Sequence, residues 1–153
     1  KMALAFVMTT NRIPTVYYGS EQSFTSDKTG WAETSRKDMV FDQDPEMHGY
    51  FQKLGAIRND LEPLRRGKLL EMWQDDQVYA FDRKSEHGEA IVMFNNSEGD
   101  QHRSIPLRAE SQIQDGTVLK DLLSGRTVTV KDRRIEQNLP GKSAGIFVPL
   151  PTE

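Results

Sequence analysis

Cysteine is absent from the 153 residues. The chain therefore cannot build a disulfide framework, a thiolate metal site or a cysteine nucleophile, although the lack of thiols does not separate cytosol from exterior. Long apolar runs are also missing. The most hydrophobic stretch, Lys1 to Met8, falls well short of the ~20 residues that cross a bilayer and carries no small-residue cleavage site. Neither sign of charge dominates, with 20 Lys and Arg against 23 Asp and Glu, so nothing electrostatic calls for nucleic acid or an anionic membrane as partner. Glycines are too scattered for a phosphate loop, and Tyr18-Gly19-Ser20-Glu21 lacks the second glycine of a serine nucleophile elbow. His48, His87 and His102 have no paired spacing, so no metal site is expected. No internal repeat or low-complexity tract appears.

What remains is ordinary globular composition, 36% hydrophobic and 28% charged, with one change of period along the chain. Met2 to Met8 is apolar at nearly every position and predicts a mostly buried helix, closed near Asn11. Ile13-Pro14-Thr15-Val16-Tyr17-Tyr18-Gly19-Ser20-Glu21-Gln22 then predicts a buried strand over 14–18. Val and Tyr suit a strand, Pro14 is tolerable at its start, and Gly19 permits a turn that lifts Ser20, Glu21 and Gln22 off the tip. Helix, turn and apolar strand make one αβ step of a parallel α/β architecture.

Residues 19–45 form a long polar connection holding Trp31, Glu33, Arg36 and Asp38. Asp44-Pro45-Glu46 has the order of an N-cap, a first-turn proline and an acid favoured by the helix dipole. Met47, Tyr50, Phe51, Leu54, Ile57 and Leu61 then give one apolar stripe, ended by Pro63. From Lys68 the pattern is that of strands: 69–73, 78–83, 90–95, 103–107, 117–119, 127–130 and 144–150, separated by turn residues at the spacing of an antiparallel β-sandwich. A domain boundary is placed near Gly67, giving 1–67 and 68–153. The second part is expected to cover its own core, whereas the first needs further polypeptide over its strand and stripe.

Several side chains in the connection have chemistry suited to sugars. Arg36 offers a planar fork of donors for vicinal hydroxyls or a carboxylate, and Trp31 offers an indole that can stack on a pyranose. Glu21, at a strand tip, is the acid placed where a catalytic group would stand, and it reads more simply as a structural group holding the loop together with Gln22 and Tyr18. Lys37 and Asp38 are taken as solvated. Trp73, Tyr79 and Phe81 alternate as core or interdomain residues do.

The segment 12–22 resembles the eighth-strand motif G-(I/V)-P-x-(I/V)-Y-Y-G-x-E-Q of the α-amylase family of glycoside hydrolases, with Arg12 in place of the first glycine. The similarity continues through Ser35-Arg36-Lys37-Asp38-Met39 and the helix exit at 57–67. The resemblance implies the C-terminal end of a (β/α)8 barrel over 1–67, followed by an antiparallel β-sandwich domain over 68–153. It implies a parent that acts on α-glucan by a retaining mechanism, with Arg36 and Trp31 near substrate and Glu21, Gln22 and Tyr18 as structural parts of the cleft rim. Where many members carry D-P-x-x-R, this chain has Ala32 and Glu33 before Arg36, and the alternative to a sugar contact is an ion pair inside the barrel rim. The family's catalytic carboxylates follow barrel strands four, five and seven, and these would lie upstream of Lys1. None of residues 1–153 is then catalytic, and no cofactor is expected here; any calcium would belong to the upstream part. The partners implied are the glucan and the rest of the barrel, at a location leaning to the periplasm or exterior. The alternative is a noncatalytic carbohydrate-binding or scaffold module.

Overall fold

A computed structural model describes residues 1–26 and 36–151. Trp31 and Glu33 lie outside the described residues. The chain begins with α1 (Met2–Thr9), whose Ala5, Met8 and Thr9 are buried. Phe6 on its opposite side is 45% exposed, so the helix buries one face rather than being mostly enclosed. α2 (Pro45–Asp60) starts where the sequence places it: Asp44 accepts a hydrogen bond from the Met47 amide at 2.9 Å, and Pro45 occupies the first turn. Its stripe buries Leu54 and Ile57 most deeply. Pro63 does not simply end this helix. It sits in the first turn of a further short helix, α3 (Glu62–Arg66), a position where the missing proline N–H removes no hydrogen bond.

Eight strands follow: β1 (Lys68–Gln74), β2 (Val78–Ser85), β3 (Gly88–Asn95), β4 (Gln101–Pro106), β5 (Val118–Asp121), β6 (Thr127–Thr129), β7 (Arg134–Leu139) and β8 (Ser143–Pro149). Six of them make an antiparallel sheet in the order β1-β2-β3-β8-β5-β6, and β4 and β7 form a separate two-stranded ribbon. The edge strand β1 is irregular, its register on β2 shifting between Glu71 and Trp73. The other edge, β6, has only three residues.

Alternation along the strands sends side chains to two different partners. On one face Val78, Ala80, Ile91, Met93 and Phe147 meet Ile105, Ile135 and Leu139 of the ribbon, as expected for a sandwich. On the other face Phe81, Ala90, Val92, Phe94 and Ile146 meet Ala5, Met8, Leu54, Ile57 and Leu64 of the three helices. The strands therefore do not cover one another completely, contrary to the self-sufficient core expected for 68–153. A sheet with two apolar faces needs two covers, and the ribbon provides one.

The strand expected over 14–18 is not formed. Residues 13–17 run on with no ladder among the described residues, and Ile13 and Tyr17 are 91% and 56% exposed. A strand of a parallel sheet needs neighbours on its edges, and the described residues supply none there.

Candidate functional site

The polar groups that follow this extended run are held in one compact turn. Gly19 has φ of 82°, and a Cβ on it would stand 2.4 Å from the Phe24 ring, so both conformation and space exclude a side chain. The chain then closes a 3-10 turn over Ser20–Gln22. Gln22 is only 3% exposed. Its side-chain oxygen accepts from the backbone amides of Gln43 at 2.9 Å and Asp44 at 3.3 Å, while Gln43 Nε2 donates to the Gln22 carbonyl at 2.9 Å. The Ser23 hydroxyl donates to Asp44 Oδ2 at 2.6 Å. The turn is thereby fastened to the start of α2.

Asp44 is held below the usual carboxylate range, first by the Ser23 hydroxyl and then by the Met47 amide. Its stabilising contribution is present above the ordinary carboxylate pKa and is lost as pH falls through its depressed folded value. Tyr18 is exposed, donates to the Lys37 carbonyl at 3.1 Å and lies 4.6 Å from the Tyr17 ring. Its phenol is pushed above its ordinary value, chiefly by hydrogen bonding with Tyr17. Desolvation adds to this, and Arg36 and Asp38 act on it in opposite senses.

The structure thus brings Tyr18 to the segment beside Arg36, and Gln22 to the start of α2. Glu21 is half-buried beside them, but the hydrogen bonds that fasten the turn come from Gln22 and Ser23. Sequence reasoning assigned Asp44 only as a helix cap and missed Ser23 altogether. The one signal for the pair is that a capping Asp has a second oxygen free for a distant hydroxyl. Removing the Gln22 side chain leaves two part-buried amides, those of Gln43 and Asp44, without their acceptor. Gln22→Leu is expected to cost about 1–3 kcal/mol in urea unfolding, and an unchanged midpoint would show that the turn holds without this amide.

No group of three or more His, Asp or Glu among the described residues is placed to hold a metal ion. Nor is any helix among them long and apolar enough to cross a membrane. His102 faces Glu136 at 3.4 Å on the exposed side of the ribbon. As the alternation implied, Tyr79 and Phe81 point at the helices. Trp73 borders the ribbon-side core and donates its indole N–H to Asp75 at 2.7 Å.

An antiparallel domain with helices on one face, joined to a turn of this kind, is the architecture of the C-terminal β-domain of α-amylases, with the end of their barrel only partly visible. An α-amylase from Anoxybacillus superposes with a TM-score of 0.88 at 28% identity, covering 99% of this chain and 32% of that one. A β/α-amylase from Paenibacillus polymyxa is 33% identical over 147 residues, which are 96% of this chain and 12% of that protein. A cyclomaltodextrin glucanotransferase from Bacillus sp. strain 1-1 is 28% identical over 130 residues, 84% of this chain and 18% of that protein. No family model matches the chain. These likenesses support a C-terminal portion of an α-amylase family glycoside hydrolase, and the chain spans about an eighth of the length of the Paenibacillus relative.

Proposed function

We propose that residues 1–153 are part of an enzyme that acts on α-linked glucan by a retaining double displacement, and that they furnish one rim of its cleft and the domain behind it. The observation that carries this reading is the likeness, along nearly the whole chain, to relatives named as amylases and glucanotransferases. The fastened turn at 19–24 supports it as a rigid rim element. Retaining chemistry needs two carboxyl groups about 5–5.5 Å apart across the scissile bond. That pair is supplied by polypeptide outside residues 1–153.

In this reading residues 1–67 are the end of the barrel and 68–153 the β-domain. The exposed run Ile13 to Tyr18 is a barrel strand whose neighbours come from the remainder of the barrel. Tyr18 and Gln22 shape the rim, and Arg36 and Trp31 are the residues assigned to the sugar.

The test uses the whole polypeptide that contains these residues, with the isolated 153 residues as blank. The whole protein is expected to release or transfer maltooligosaccharides from amylose, and the blank to do neither. Arg36→Ala in the whole protein should lower kcat/KM by roughly 1–3 kcal/mol of transition-state stabilisation, the scale of one charged hydrogen bond. Turnover by the blank, or none by the whole protein on any α-glucan, would overturn the reading. Unchanged kinetics would remove Arg36 from the substrate site.

A further inference from the structure

The last turn of a helix leaves carbonyls with no intrahelical partner. At the end of α1 they are taken by two guanidinium groups from elsewhere in the fold. Arg58, on α2, donates through Nη1 to the Met8 carbonyl at 2.7 Å and through Nη2 to the Arg12 carbonyl at 3.2 Å. Arg83, on β2, donates through Nη1 to the Thr9 carbonyl. Each cation also reaches the next helix end. Arg58 Nη1 bonds the Leu64 carbonyl at 2.8 Å, and Arg83 Nη2 bonds the Gly67 carbonyl at 2.9 Å.

Arg83 is fully buried, and burial draws its pKa down to about 10. Among the described residues neither guanidinium forms an ion pair with a carboxylate. Their charges are met by carbonyl oxygens, including those at the negative end of α1. The junction is closely fitted, since a Cβ on Gly67 would stand 2.5 Å from the Pro63 carbonyl and 2.9 Å from that of Lys84.

The chain leaving this junction at Arg12 runs to Tyr18 without a ladder and is caught again at Gln22 by the start of α2. Two fastenings, at Arg12 and at Gln22, therefore hold the two ends of the intervening segment, and α2 or its cap carries a side of each. We propose that Arg58 and Arg83 are positioning residues, which set the origin of segment 12–24 against the sheet and so the placement of Tyr18 and Gln22 at the rim. The kinetic part of this inference rests on the reading of the protein as an α-glucan-acting enzyme; the positional part does not.

Arg83 is too deeply enclosed for a clean replacement, so Arg58 carries the test. Residues 1–153 contain no cysteine, so in a whole protein whose other cysteines, if any, are replaced by serine, paired spin labels go at Ile13→Cys and Thr127→Cys, with Asp76→Cys and Thr127→Cys as a control pair on the strand domain. In the whole protein the first pair is expected to give a narrow distance distribution. It should broaden at least about twofold in Arg58→Gln and by an intermediate amount in Arg58→Lys, whose compact ammonium on a flexible stem lacks the planar fork that spans these carbonyls. The control pair should not change. With amylose, kcat should fall about tenfold in Arg58→Gln with little change in KM, as expected for misplacement rather than lost binding.

Equal widths for the first pair in all three proteins would overturn the inference. So would broadening of the control pair to the same degree, which would mark general loosening. Broadening confined to the first pair with unchanged kcat would overturn the kinetic part. The same broadening in a protein with no glucan turnover even as wild type would overturn the functional reading and support the positional one.

Discussion

Cutting the chain at Gly67 is expected to leave residues 68–153 aggregated or loosely ordered rather than as a cooperative monomer. Phe81, Val92 and Ile146 are at most 1% exposed, and Phe94 is 5% exposed. All four face α1–α3. Burial of each such side chain is worth about 1.5–3 kcal/mol, so a fragment without the helices forgoes on the order of 6–12 kcal/mol. Whole domains are stable by only about 5–15 kcal/mol. Sedimentation and dye binding on the purified fragment check this, the expectation being a polydisperse, dye-binding sample. A monodisperse species with a sharp unfolding transition would mean that the strands repack to cover this face themselves.

Replacing Asp82 is expected to stabilise the protein at neutral pH, against the usual direction for a core substitution. Asp82 is 1% exposed, and neither carboxylate oxygen has a hydrogen-bond partner. It shares a strand face with Glu89, whose oxygens are taken by Lys84 Nζ at 2.5 Å, the Ser111 hydroxyl at 2.6 Å and the Gln112 amide at 2.6 Å. Burial first, and the charge of Glu89 second, raise Asp82 to about 7, with Glu110 adding to the rise and Lys84 and Arg83 opposing it.

A raised folded pKa means that the folded state holds the proton longer than the unfolded chain. The contribution of this group to stability is therefore complete below about pH 4, falls as pH rises, and is gone above about pH 7. Three units at 1.36 kcal/mol each put the loss at about 4 kcal/mol. Asp82→Leu should recover most of this at pH 8 and little at pH 4.5, and Asp82→Asn should flatten the pH profile while keeping its unpaired amide. Urea unfolding across pH 4.5–8 reads the difference directly. Parallel profiles for wild type and both variants would show that Asp82 finds water or a cation in solution.

Most strands were legible because one or both of their faces are apolar in alternation. β7 was not. In Arg134–Leu139 only Ile135 and Leu139 are buried, four residues apart, and the rest of a ribbon strand faces solvent. α3 was hidden by Pro63, which ends a helix or begins one according to where the break falls ahead of it. Leu61, two residues before it, is extended at φ −94° and ψ 101°, which breaks α2 and lets a new helix start with Pro63 in its first turn.

The segment 14–18 reads as a strand because its residues suit one, but pairing is a property of neighbours, and the described residues offer none. Of the candidate site, the turn at Gly19 was legible from a local conformational need. Its fastening to Asp44 and Gln43, some twenty residues on, depends on contacts that no local spacing encodes. The same holds for Arg58 and Arg83, which look like ordinary surface cations until their carbonyl partners are located.

The two borders of the large sheet bear on how failure would look. β6 offers three residues to an incoming strand, and β1 breaks its register at Glu71 and Trp73. Short and irregular borders resist the addition of further strands. A molecule stripped of its helices would thus associate through its broad greasy side rather than by lengthening the sheet. The deposit formed on truncation or heating should be amorphous, without the regular strand spacing of a fibril.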